Sequence, residues 1–254
     1  MCKQKSWMAL AIGIMTIAGC YSLDTNPEHV ASITLEQPVV PSVVVGDSLR
    51  DTLGLARAVH GAAFNIYDDT IPTVPVIYRA LDPGLSVDSL TGAVVGDSIT
   101  GTTVRIVALA GGLQTSAIQL LVIPTPDTIS AVNAEDSLLY SLRDSSVNVS
   151  VPLQVMVSHN SGGTLTPVPS YLVSYAITST TDTLLAQLVG DDGVRGSRVD
   201  TTGSDGVAGR RIRLRPGRLT QPEDSVVVLA TVKYRGVAVP GSPVRFVLNV
   251  KPQP

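Results

Sequence analysis

Short runs of Val, Ile, Leu and Thr, cut at close intervals by Gly, Pro, Asp and Ser, recur along this chain from residue 30 to its end and constrain its fold more than any other feature. The runs include Ser32–Leu35, Val43–Val45, Val74–Tyr78, Thr103–Leu109 and Ser116–Ile123, followed by Ser146–Val157, Tyr171–Ile177, Val226–Tyr234 and Val244–Val250. Runs of this length between turn formers read as β-strands. No stretch sustains a 3.6-residue apolar period, Leu53–Val59 coming nearest, so the expected body is all-β and nearly free of helix.

The grammar breaks at Pro124-Thr125-Pro126, where two prolines stiffen the chain and remove two backbone donors. Each side of the break is about a hundred residues long, the usual size of an immunoglobulin-type sandwich. The expectation is therefore two tandem immunoglobulin-like β-sandwiches, over residues 30–124 and 127–251.

The start of the chain is different in kind. Lys3 and Lys5 precede an apolar run, Trp7–Ala18, which leads into Gly19 and Cys20. That order is a secretory signal. The run falls short of the ~20 residues that a membrane-spanning helix needs. Ile17-Ala18-Gly19-Cys20 resembles the lipobox of bacterial lipoproteins. The resemblance implies cleavage after Gly19 (signal 1–19), acylation of the Cys20 thiol and of its new amino group, and a short polar tether over residues 20–29. Two or more acyl chains anchor stably where one does not. Tyr21, where an Asp is associated with retention at the inner membrane, leans the expected address toward the outer membrane.

Loss of residues 1–19 removes two lysines and no acid, moving the formal net charge from −3 to −5, and it removes the lone tryptophan. A mildly acidic body is a poor partner for nucleic acid. Of the two cysteines, Cys2 is discarded and Cys20 is acylated, so no disulfide is expected.

Within the first half, Val87-Asp88-Ser89-Leu90-Thr91-Gly92-Ala93-Val94, Gly101–Ala108 and the closing Leu121-Val122-Ile123 resemble the bacterial immunoglobulin-like domains of group 2 (Big2), with Val45-Gly46-Asp47 matching the family's V-G-D. The family's tryptophan before the central turn is missing, and the resemblance implies that Tyr78 fills its space. In the second half, Thr202-Gly203-Ser204-Asp205-Gly206-Val207-Ala208 and Gly241–Phe246 resemble more distantly the group 1 domains of invasins and intimins.

Gly46-Asp47-Ser48-Leu49 reads literally as the nucleophile block of GDSL-type esterases, but a nucleophilic serine needs a base within reach, and that family's Asp-x-x-His near the C-terminus is missing: the histidines are His29, His60 and His159. Gly96-Asp97-Ser98 repeats the tripeptide, as strand-entry turns do. The acidic loops Asp191-Asp192-Gly193 and Asp200–Gly206 lack the D-x-D-x-D-G spacing of a calcium loop and read as turns. The histidines have no zinc-like spacing. The expected lists of catalytic residues, metal ligands and cofactors are accordingly empty.

Five arginines crowd residues 210–218. On a strand, Ile212 and Leu214 face one side while Arg211, Arg213 and Arg215 face the other. This basic stripe is the candidate contact for an anionic partner, set against a solvated outer face whose arginines discourage edge pairing.

The expected function is a non-enzymatic binding or adhesion module of the cell envelope, held on a membrane by covalent lipid and meeting an envelope protein or glycan. Two alternatives stand beside it. One is a structural accessory subunit of a secretion or polysaccharide-export assembly; the other is a glycan-acting hydrolase with a dispersed carboxylate site, for which Asp68 or Asp69 is the candidate.

Overall fold

Pro38 and Pro41 shape the first sandwich from its leading edge, because neither can donate to a ladder. The chain pairs before them in one sheet and after them in another. In the computed structural model, which describes residues 28–133, 137–178, 185–190, 196–218 and 225–253, the strands of this half are β1 (Ser32–Leu35), β2 (Ser42–Val44), β3 (Gly61–Phe64), β4 (Ile77–Ala80), β5 (Leu85–Val87), β6 (Val94–Gly96), β7 (Val104–Ala110), β8 (Leu113–Gln114) and β9 (Ile118–Ile123). β1 lies antiparallel to β3, whereas β2 runs parallel to β9 in the sheet β2-β9-β7-β4, which β8 extends by pairing with β7. β5 and β6 form a separate hairpin.

The second half repeats the device. Its strands are β10 (Thr128–Ala131), β11 (Ser137–Tyr140), β12 (Leu153–Ser161), β13 (Thr164–Pro167), β14 (Leu172–Ile177), β15 (Ala186–Val189), β16 (Val199–Thr201), β17 (Val207–Leu214), β18 (Ser225–Thr231), β19 (Lys233–Tyr234), β20 (Val237–Ala238) and β21 (Val244–Pro252). β10 joins the sheet β10-β12-β17-β15, and β11 crosses to the facing sheet β11-β21-β18-β14-β16, where it runs parallel to β21. A leading strand shared between two facing sheets, and parallel to the last strand, marks both halves as immunoglobulin-like sandwiches. The fold is all-β; the helical elements among the described residues are two single 3-10 turns, Ser145–Val147 and Pro216–Arg218.

Alternation fills the cores. In β21, Phe246, Leu248 and Val250 point inward while Arg245 and Asn249 face out. Leu49, Val94, Ile106 and Leu120 lead the first core, and Leu153, Tyr175, Ile212 and Leu248 the second. Each such aliphatic side chain contributes about 1.5–3 kcal/mol on burial. Tyr78 is buried in the first core, and its hydroxyl accepts the Gly61 N–H at 3.0 Å.

Two strand readings shift. The run Ser146–Val157 does not begin as a strand: Asp144 caps a 3-10 turn by accepting the Ser146 N–H at 2.9 Å, and β12 starts only after Pro152. Likewise Pro75 delays β4 to Ile77. Leu53–Val59 is turn and isolated bridge, with no helix.

Candidate functional site: the cleft between the sandwiches

Val44 and Ile123, at the ends of β2 and β9, pack into the apolar cluster of the second sandwich, so the two cores nearly meet. Beside this joint the chain leaves β2 through Gly46, which takes φ +72, a left-handed conformation that suits glycine. The turn sets the Gly46 N–H on the Gly96 carbonyl at 2.8 Å and the Gly96 N–H on the Asp47 carbonyl at 3.1 Å, so the two G-D-S tripeptides face each other. The same turn drives the Asp47 side chain inward, where it is 5% exposed.

Asp47 is the ionic centre of the interface. Its Oδ1 accepts from the Ser48 N–H at 2.8 Å and from Arg50 Nη2 at 2.7 Å; its Oδ2 accepts from Arg50 Nε at 2.7 Å and from Arg235 Nε at 3.0 Å. The Tyr234 hydroxyl completes the set. Burial would raise this carboxyl, yet the bonds from Arg50, Arg235, Ser48 and Tyr234 outweigh burial and hold it far below the usual carboxylate range. Arg50 is further tied to the Gly54 carbonyl at 2.7 Å.

Arg235 reaches across because of its turn. Arg235 and Gly236 form the two-residue loop between β19 and β20 with φ 51 and 78, and positive φ at both positions is what a type I′ hairpin turn requires. The Arg235 guanidinium also lies 5.2 Å from the centroid of the Tyr234 ring.

Further ties hold the halves together. Ser42 Oγ donates to the Ser170 carbonyl at 2.7 Å. At the linker, His159 Nδ1 lies 2.7 Å from Asp127 Oδ2 and 3.0 Å from the Thr125 carbonyl, so that one ring nitrogen pins both sides of Pro126.

Between the halves lies a cavity of about 340 Å³. Val40, Val44 and Leu172 supply apolar lining, while Ser48, Ser174, Thr231 and Lys233 supply polar groups. Tyr171 borders it with its hydroxyl donated to the Lys233 carbonyl at 2.7 Å; burial pushes that phenol well above its ordinary range. No histidine lines this cavity among the described residues. Ser48 stands beside Asp47, a carboxylate already engaged by Arg50, Arg235, Tyr234 and the Ser48 N–H.

The stripe Arg211, Arg213 and Arg215 lies on and just beyond β17, opposite in direction to the buried Ile212 and Leu214. Arg211 registers with Val189 and Arg213 with Gln187, and Arg215 Nη2 donates to Gln187 Oε1 at 3.1 Å. Arg210 is used internally, paired with Asp200 at 2.7 Å and bonded to the Val199 carbonyl at 2.6 Å. β17 belongs to the sheet facing the one whose β14 and β18 border the cleft, so the stripe and the cleft are separate places.

The remaining sequence candidates fall elsewhere. Cys20 and Asp191–Gly193 lie outside the described residues. Asp68 and Asp69 are exposed neighbours in one tight turn, where Asn65 Oδ1 accepts the Asp69 N–H at 3.1 Å and Asp68 takes φ 62. Neither carboxylate lines the cleft between the sandwiches. Asp200 spends its oxygens on Arg210 and the Gly209 N–H, and Asp205 caps the Val207 N–H.

Sequence reasoning passed over Asp47, Arg50, Tyr234 and Arg235 as a unit. The available signals were local: Gly46-Asp47-Ser48 as a turn, and Arg235-Gly236 between two short strands.

No family model matches the chain, and no curated protein sequence matches it. Among solved structures, domains 4 and 5 of the S-layer protein SbsC are similar at 14% identity, covering 88% of this chain and 99% of that one, with a TM-score of 0.31. The Yersinia pseudotuberculosis adhesin InvE is similar at 12% identity over 89% of this chain and 61% of its own, with a TM-score of 0.35. The Escherichia coli adhesin FdeC is similar at 16% identity over 86% of this chain and 63% of its own, with a TM-score of 0.31. The chain thus spans less than two thirds of either adhesin structure. Strand order and pairing define the class of protein here: a tandem immunoglobulin-like β-sandwich protein.

Proposed function

We propose that this protein is a non-enzymatic binding module of the cell envelope, anchored through lipid on Cys20, that holds two immunoglobulin-like sandwiches in a fixed relative pose. The observation that carries the reading is the Asp47 centre, where a buried carboxylate joins Arg50 of one sandwich to Arg235 of the other beside the Val44–Ile123 joint. A joint of this kind suits presentation of a face at a set distance from a membrane. The Asp47 carboxylate is spent on guanidiniums and a backbone N–H, and Asp68 and Asp69 sit on an exposed turn away from the cleft, which favours binding over hydrolysis.

In this reading residues 30–124 form a domain of the bacterial group 2 type, residues 127–251 a second sandwich, and residues 20–29 a tether on the outer membrane. Arg211, Arg213 and Arg215 offer forked donors to carboxylates or phosphates of an anionic envelope partner.

Intact mass spectrometry of membrane-extracted protein tests the anchor. Residues 20–254 plus acyl chains, lost together with membrane attachment in Cys20→Ala, is the expected result; an unmodified chain retaining residues 1–19 would overturn it. Replacement of Arg211, Arg213 and Arg215 by Glu is expected to abolish salt-sensitive binding to anionic envelope fractions. Unchanged binding removes the arginine face from the proposal, and stoichiometric co-purification with secretion or polysaccharide-export proteins would favour an accessory subunit.

A further inference from the structure

The cleft carries more unspent polar chemistry than a structural joint needs. Ser48, Ser174, Thr231 and Lys233 line the cavity, and no hydrogen bond or ion pair engages their hydroxyls or ammonium among the described residues. Charge at the cleft is not balanced either. Arg50, Lys233 and Arg235 all line the cleft; Arg50 and Arg235 share the carboxylate of Asp47, while Asp51, the acid in the lining, is already paired with Arg57 at 2.9 Å. A positive surplus in a chain of net charge −3 is a local feature with a direction: it attracts an anion into the cleft.

Size and lining narrow the class of that anion. A cavity of about 340 Å³ lies at the lower end of the roughly 300–1,000 Å³ typical of small-ligand sites. Its lining combines apolar residues, Val40, Val44, Leu53 and Leu172, with the hydroxyl-bearing Ser48, Ser174 and Thr231 and with two tyrosines, Tyr171 and Tyr234. A pyranose ring presents the matching pattern of apolar C–H faces and radiating hydroxyls, and an attached carboxylate meets Lys233.

We propose that the cleft between the two sandwiches binds an acidic saccharide, with Lys233 pairing its carboxylate and Ser48, Ser174 and Thr231 hydrogen-bonding its ring hydroxyls. The inference rests on the binding-module reading but uses a different surface from the arginine stripe. Because the lining comes from both halves, with Val40, Ser48 and Leu53 on one side and Leu172, Ser174 and Lys233 on the other, the bound sugar also bridges the two sandwiches.

Titration calorimetry on the full chain in detergent tests it, with glucuronate, galacturonate and N-acetylneuraminate as probes, glucose and galactose as neutral controls, and acetate and glutamate as carboxylates without a sugar ring. At least one acidic sugar is expected to bind about tenfold or more tighter than the neutral sugars and the simple carboxylates. Lys233→Gln is expected to weaken it about tenfold, and Ser174→Trp, an exposed strand position from which the indole fills the cavity, to abolish it with an unchanged circular dichroism spectrum. The triple Arg211, Arg213 and Arg215 to Gln variant is expected to bind normally. Absence of saturable binding by every acidic sugar, equal binding of acetate or glutamate, or binding that survives Ser174→Trp overturns the proposal. Loss of sugar binding only in the triple variant overturns it too and leaves the arginine face of the module standing.

Discussion

Gly54 and Gly236, from opposite sandwiches, meet so closely that a Cβ added to Gly54 would lie 2.3 Å from the Gly236 backbone nitrogen, and Gly54 holds φ +82. Both the space and the backbone conformation exclude a side chain there. Gly54→Ala is therefore expected to push the Leu53–Gly54 turn and the Arg235–Gly236 turn apart while leaving both cores filled. Small-angle scattering should record a larger radius of gyration, and thermal unfolding should separate into two transitions. An unchanged radius with a single transition would mean that this approach does not set the pose.

Asp47→Asn keeps the shape of the side chain and removes the charge that two guanidiniums share. Breaking a buried ion pair costs about 3–5 kcal/mol, and the 54% exposure of Arg235 lowers the expected loss to about 2–3 kcal/mol. Denaturant unfolding measures it. Ser48→Ala, by contrast, leaves the Ser48 N–H bond to Asp47 in place and is expected to change stability by less than about 0.5 kcal/mol. A larger loss in Ser48→Ala than in Asp47→Asn would move the importance of the G-D-S turn from its acid to its serine.

That ranking shows what was legible in the chain and what was not. The all-β class followed from runs such as Val244–Val250, because alternation fixes which face is buried whatever the partner strand is. The turn Val87–Val94 was equally local: Asp88 Oδ1 accepts the Leu90 and Thr91 N–H groups at 3.0 and 2.7 Å, and Gly92 closes it at φ +70. Asp47 was not legible, because its partner Arg235 stands 188 residues away and no short pattern announces a contact at that range. Its twin Asp97, in the same tripeptide, stays exposed and accepts a Ser86 hydroxyl at 2.8 Å. Two differences separate them: Arg50 stands three residues after Asp47 where Thr100 follows Asp97, and Arg235 of the second sandwich reaches Asp47 alone. The arginine stripe was legible in its alternation but not in its depth, since Arg211 and Arg213 are half-buried alongside Val189 and Gln187.

Asp82 and Arg105 give the clearest pH signature. The Arg105 side chain, together with the Arg105 backbone N–H, holds the Asp82 carboxyl at about 2, below its ordinary 3.8. The folded value is depressed, so the stability it contributes is present above the ordinary value and is lost as pH falls through about 2. Carbon-13 titration of the Asp82 carboxyl is expected to find it still ionised at pH 3, and Arg105→Gln to return it toward the ordinary range. A wild-type midpoint near 3.8 would show that this exposed pair does not persist in solution.

Thr202 explains why a threonine opens the turn of the second sandwich. Its Oγ1 donates to the Val168 carbonyl at 2.7 Å and accepts the Tyr171 N–H at 2.9 Å, with the residue only 3% exposed. Four residues on, Gly206 takes φ +74 where a Cβ would lie 2.7 Å from the Val157 carbonyl, and Ala208 offers its carbonyl to the buried Tyr175 hydroxyl at 2.9 Å. The hydroxyl of Thr202 thus stitches the β13–β14 connection, which leads directly to the cleft residues Tyr171 and Leu172, onto the β16–β17 turn. Thr202→Val preserves volume but leaves one buried acceptor and one buried donor without partners, at about 1–3 kcal/mol for each group left unsatisfied. Thr202→Ser keeps both bonds and loses only a methyl, for which about 1 kcal/mol is expected. Chemical denaturation should rank the two in that order, and amide exchange should show the Tyr171 N–H losing protection in the valine variant alone; equal protection in both would mean that packing, not the hydroxyl, holds this connection in place.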